Sequence, residues 1–184
     1  MNKIFEKLTN QLTETIDSSV ALALHNKNQE VEVIHLLWAL LSNTNSVLNQ
    51  LLNKMNVNKV AVELEAKSYA SKLPSVSSVT KESIKLSRNL LSSLQSAEGL
   101  MASFGDKFIA VDTWLISNLD SSVIKDVLGK YVDLKEAKKE LEAMRAGKTI
   151  DSNSGDENLE ALNKYGIDLN KKAIDGELDP VIGR

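Results

Sequence analysis

The chain has 184 residues, 22 basic and 25 acidic for a net charge of -3, and no cysteine. Disulfides, thiol nucleophiles and thiolate metal sites are therefore excluded, and interspersed charges without a basic, aromatic-laced block argue against nucleic acid as a partner. Abundant aliphatic residues, 4% aromatics and only two prolines, Pro74 and Pro180, point to an all-helical domain with a core of its own plus an extension.

The charged opening Met1-Asn2-Lys3-Ile4-Phe5-Glu6 does not read as a signal peptide. No apolar run approaches the roughly 20 residues that cross a bilayer. A cytoplasmic chain without a membrane partner is the expectation. Leu8, Leu12, Ile16, Val20, Ala23 and Leu24 form the stripe of a first helix. A turn through Asn26-Lys27-Asn28 follows. Val31, Ile34, Leu37, Leu40 and Leu41 mark a second helix, ended by Asn43-Thr44-Asn45. Val47, Leu48, Leu51, Leu52 and Met55 mark a third. Asn58 caps a fourth, which carries Val60, Leu64 and Leu73 and ends at Pro74.

The plan then repeats. A shift of 78 positions carries Leu8, Leu12, Ile16, Leu22 and Val31 onto Leu86, Leu90, Leu94, Leu100 and Ile109. After a gap of two residues, Val47, Leu48, Leu51 and Leu52 match Val123, Ile124, Val127 and Leu128. Thr80 is the expected cap of the fifth helix, and Asp133 with Glu136 a capping box for the eighth. Gly147, just past Arg145, reads as a helix stop with a cation near the C-terminal dipole. The expected architecture is a pseudo-twofold pair of four-helix repeats, residues 1–78 and 79–146. The small polar residues of 147–158, with the single isolated Ile150, read as a flexible linker. Residues 159–184 read as short helical pieces belonging to a further module.

Lys164-Tyr165-Gly166-Ile167-Asp168-Leu169 and Leu178-Asp179-Pro180-Val181-Ile182-Gly183-Arg184 resemble the start of the first ATPase (AAA+) module of the Clp chaperones, above all the ClpB-type disaggregases. Leu22-Ala23-Leu24, Glu32, His35-Leu36-Leu37 and Ala39-Leu40-Leu41 resemble the amino-terminal domain of the same family, with Val33 where the family usually has proline. The resemblance implies that Asp179, Pro180, Val181, Ile182, Gly183 and Arg184 lie beside nucleotide in a complete protein. It also implies a hexameric ATPase ring using ATP and magnesium, to which this domain hands unfolded or aggregated proteins. The 184 residues themselves are expected to be a monomeric, non-enzymatic unit without a cofactor.

Gly147-Lys148-Thr149 lacks the leading glycine and preceding strand of a phosphate loop, since Glu142 stands where that glycine belongs. His25 and His35 have no ligand cluster around them, and Trp38 and Trp114 read as packing residues. Thr9, Asp106 and Asp112 match positions that the resemblance associates with client handling, Asp112 replacing the family's more frequent Glu. They are equally good caps and turn residues. Two packed helical units leave a seam, and Leu94, Leu100 and Met101 are the expected walls of a groove for an extended apolar segment. The competing reading is the adaptor-docking domain of a proteolytic Clp ATPase.

Overall fold

A computed structural model describes residues 3–156 of the chain. Its helices start where side-chain oxygens can take up free amides. Thr9 Oγ1 accepts from Leu12 N–H at the head of α1 (Asn10–His25), and Ser87 Oγ from Leu90 N–H at the head of α5 (Arg88–Phe104). Ser46, Asn58, Ser121 and Asp133 cap α3 (Val47–Lys54), α4 (Lys59–Ser71), α7 (Ser122–Val127) and α8 (Leu134–Arg145) in the same way. Each such cap contributes about 1 kcal/mol. The remaining helices are α2 (Val33–Ser42) and α6 (Val111–Ser117). α8 ends through Ala146 and Gly147, both with positive φ.

The repeat is visible in space. α1 packs on α2, and its counterpart α5 packs on α6. Two short strands, β1 (Glu30–Val31) and β2 (Lys85–Leu86), pair in parallel, with Val31 opposite Leu86. Leu8 pairs in parallel with Ile109. The shift of 78 positions turns Leu8 into Leu86 and Val31 into Ile109, so the two cross-repeat pairs exchange under the pseudo-twofold. α2 is buried along its whole apolar length, from Val33 to Leu41, and reaches α1, α3 and α4 of its own repeat and α5 and α7 of the other. A helix apolar all round is one buried all round.

Four local expectations change. Leu8 and Val31 lie in the cross-repeat pairs, outside the helices that their periodicity suggested. On α4 the inward face is Val62, Ala66 and Ala70, while Val60 and Leu64 are 56% and 59% exposed. The face that packs carries one valine and two alanines, and the apolar Val60 and Leu64 are left outside. Thr80 sits in a turn with Ser83, and the cap of α5 is Ser87, the counterpart of Thr9. Finally, the part of the expected linker that is described, 147–156, is a packed strap. Ile150 is fully buried, and main-chain hydrogen bonds tie the strap to Asn10 and Lys107. The expected module at 159–184, with Asp179 to Arg184, lies outside the described residues.

His35 closes the first turn of α2. Its Nδ1 accepts the Glu32 N–H at 2.8 Å, so the proton sits on Nε2 and is donated to Asn28 Oδ1, also at 2.8 Å. Burial lowers its pKa from 6.5 to about 4. The unfolded chain therefore binds a proton that the folded chain refuses between those two values. Stability from this group is complete above about pH 6.5 and falls as the pH drops towards 4, by up to about 3 kcal/mol. Urea unfolding at pH 7 and pH 4.5 measures the loss, and His35→Gln should flatten the pH dependence over this range.

Candidate functional site

Thr9, Asp106 and Asp112 come together at the seam between the repeats, all three buried. The residue that joins the two carboxylates is Arg145, at the end of α8. Its Nε and Nη2 donate to Asp112 Oδ2 and Oδ1 at 2.9 and 2.6 Å. Its Nη1 donates to Asp106 Oδ1 and Oδ2 at 2.9 and 2.7 Å, and Nη2 also donates to Thr113 Oγ1 at 3.1 Å. The guanidinium stands 5.1 Å from the centre of the Phe104 ring. Burial opposes its charge, but the hydrogen bonds and charge of Asp112, then of Asp106, outweigh that and hold its pKa above the ordinary value. Planar bidentate pairing is what guanidinium geometry favours.

The strap 147–156 completes this corner. Ile150 N–H donates to Asp106 Oδ1 at 2.8 Å, and Ile150 O accepts from Lys107 N–H at 2.8 Å. Lys148 O accepts from Arg145 Nη1 at 3.3 Å, so Gly147-Lys148-Thr149 is a helix end and carries no phosphate-loop geometry. Asn153 O accepts from Asn10 N–H at 2.7 Å. Asp156 Oδ2 accepts from Thr9 Oγ1 at 2.8 Å and from Val111 N–H at 3.3 Å. Thr9 thus caps α1 and holds the end of the strap with one hydroxyl.

The three expected groove residues separate. Leu94 is fully buried in the core. Six positions on a helix are about 120° apart in projection, so Leu94 and Leu100 face different ways. Leu100 lines an open groove of about 460 Å³ with Ile116, Leu119 and Leu134. Lys125, Lys135, Lys138, Glu142, Asp120 and Ser117 complete its lining. Met101 is half-buried against the core about 100° further round α5. A smaller cleft of about 380 Å³ between α1 and the end of α2 is lined mainly by polar residues, including Gln11, Glu14, Thr15 and Ser18. Sequence reasoning missed Arg145, Ile150 and Asp156. Two acidic residues six positions apart, Asp106 and Asp112, were the one signal that a cation had to be found.

A helical repeat pair with this seam is the architecture of a Clp amino-terminal domain, and the chain belongs to that family: the model described as Clp repeat (R) N-terminal domain matches residues 7–131. The chain is 57% identical over 180 residues to the chaperone protein ClpB of Wolinella succinogenes, and 53% identical over 181 residues to that of Helicobacter hepaticus. Both matches cover 98% of this chain and 21% of the relative, so the chain spans about a fifth of their length. The fold matches the Hsp104 N-terminal domain from Candida albicans with a TM-score of 0.74 at 22% identity, over 82% of this chain and 99% of that one. It also matches the ClpV N-domain solved in complex with a VipB peptide, with a TM-score of 0.61 at 18% identity, over 79% of this chain and 91% of that one. No helix among the described residues is long and apolar enough to cross a membrane.

Proposed function

We propose that this domain is the client-recognition unit of a ClpB-type disaggregase, holding exposed apolar segments of unfolded or aggregated proteins in the groove between α5 and α8. The observation that carries this reading is the groove lined by the partly exposed Leu100 and Leu134 over the buried Ile116 and Leu119, with lysines at its edge. A concavity lined by apolar side chains with a few charged groups at its edge is the usual form of a binding site. Lysines at the edge suit the carboxylates and carbonyls of a bound chain. Residues 159–184 would lead into the ATPase module, where a hexameric ring would supply ATP- and magnesium-driven threading. The packed domain would then include the strap through residue 156. Client binding would be weak, because many unrelated segments must be released.

Leu134→Asp tests the groove with little risk to the fold, since an acidic residue suits the first turn of α8. In an NMR titration with a permanently unfolded, apolar-rich protein, saturable shifts are expected at Leu100, Ile116, Leu119 and Leu134. The variant should bind at least about tenfold more weakly, a loss of about 1.4 kcal/mol. Undiminished binding by a folded Leu134→Asp variant would remove the groove from the reading. The ClpV N-domain solved with a VipB peptide keeps adaptor docking as a second reading. A dedicated adaptor should bind in fixed stoichiometry through one face, whereas clients should compete with one another.

A further inference from the structure

Thr9 and Asp106 are buried under the strap, and Asp112 is held by the same Arg145 that the strap touches. A client could reach none of them while the strap is in place. We propose that the seam is a second peptide-binding site, separate from the α5–α8 groove, and that residues 148–156 are a tethered occupant which a client segment displaces. The ligand would be a short stretch of unfolded chain that offers one aliphatic side chain and one carboxylate.

The way the strap is held supports this. Asp106 and Lys107, adjacent in sequence, take both main-chain polar groups of one residue, the N–H and the carbonyl of Ile150. Asn10 N–H takes the carbonyl of Asn153. These contacts read backbone and accept any residue, the Asp106 carboxylate taking an N–H and the Lys107 and Asn10 amides taking carbonyls. Two contacts read side chains. A buried position takes Ile150, and the Thr9 hydroxyl with the Val111 amide takes the Asp156 carboxylate. Arg145 holds Asp106 in place for the incoming N–H and is a positioning residue.

The other repeat shows that such a seam is built to receive main chain. There the connector after α4 lies on the counterpart of Asp106: Val76 N–H donates to Lys27 O at 2.8 Å, and Asn28 Nδ2 donates to Pro74 O at 3.2 Å. The strap is also a poor competitor. Ile150 is its one large apolar residue, and Ser152, Asn153 and Ser154 bury little. Ordering so many polar residues opposes docking, so a segment with more apolar surface would win the site.

The inference rests on the client-binding reading only for the nature of the competitor, and its test separates the two. The nonapeptide Lys-Thr-Ile-Asp-Ser-Asn-Ser-Gly-Asp, blocked at both ends, is titrated into the full chain and into its Ile150→Ser variant. The variant should bind the peptide at least tenfold more tightly than the parent, with shifts at Asn10, Lys107 and Val111. Equal or absent binding by a folded variant overturns the proposal. The parent chain supplies a second measurement that needs no substitution. Hydrogen exchange at the Ile150 amide should be at least tenfold faster than at Leu94 or Leu115, and faster again once the unfolded client is added. Exchange at Ile150 as slow as in the core, or unaltered by a client that shifts Leu100 and Leu134, overturns strap displacement and leaves the groove standing.

Discussion

Arg145→Met should destabilise the domain by about 3–5 kcal/mol, because it leaves two carboxylates buried without their cation. The Asp106 and Asp112 side chains are 0% and 8% exposed, and every N–H direction of the guanidinium is spent on oxygen atoms of this corner. Methionine restores most of the volume, so the loss measures charge rather than a cavity. The first repeat offers the control. At the positions equivalent to Asp106 and Asp112 it carries Asn28 and Ile34, a neutral arrangement that folds without a cation. Combining Asp106→Asn and Asp112→Ile with Arg145→Met should recover much of the loss, since replacing a whole buried ionic group by neutral residues is often close to neutral. Urea midpoints at constant slope would show both effects.

Trp114→Ala should cost a similar amount, about 3–5 kcal/mol, for a different reason. Trp114 is fully buried, and its Nε1–H donates to Ser93 Oγ at 2.9 Å. Ser93 in turn donates to Leu90 O at 2.6 Å, and Asn118 Nδ2 bonds the carbonyls of Ser93 and Trp114 at 3.1 and 2.8 Å. The indole therefore fills the space between α5 and α6 and closes a chain of polar groups there. Trp114→Phe keeps much of the volume and loses the hydrogen bond, which costs about 1 kcal/mol on its own. Thermal unfolding of the two variants would separate packing from hydrogen bonding. A Trp114→Phe variant as unstable as Trp114→Ala would show that the Ser93 contact dominates.

The repeat was legible because its apolar positions recur over several helices, from Leu8 and Leu86 through Leu52 and Leu128. Leu100 lines a groove, but one within the second repeat and not along the seam between repeats where it was expected, and Leu94 was misplaced with it, although their angular separation on one helix already put them on different faces. β1 and β2 were not legible, because two residues are too few to show an alternating pattern. Val60 and Leu64 misled because α4 carries a second apolar stripe, Val62, Ala66 and Ala70, and it is this weaker-looking stripe that the fold buries. Arg145 looked like a helix-end cation, since its partners Asp106 and Asp112 lie 39 and 33 positions away. Ile150 posed the same difficulty. Local composition records what a residue is, not what the fold brings to it.

The exchanged pairs, Leu8 with Ile109 and Val31 with Leu86, set the order in which the chain can be assembled. As it leaves the ribosome, the first repeat emerges with Leu8 and Val31 still waiting for partners about a hundred and about fifty positions away. Closing loops of that size costs entropy before any contact offsets it. The last step of folding should therefore be the mutual docking of two half-formed units, slower than the local contacts of the helices would suggest. Until then the emerging half exposes the kind of unsatisfied apolar surface that chaperones bind.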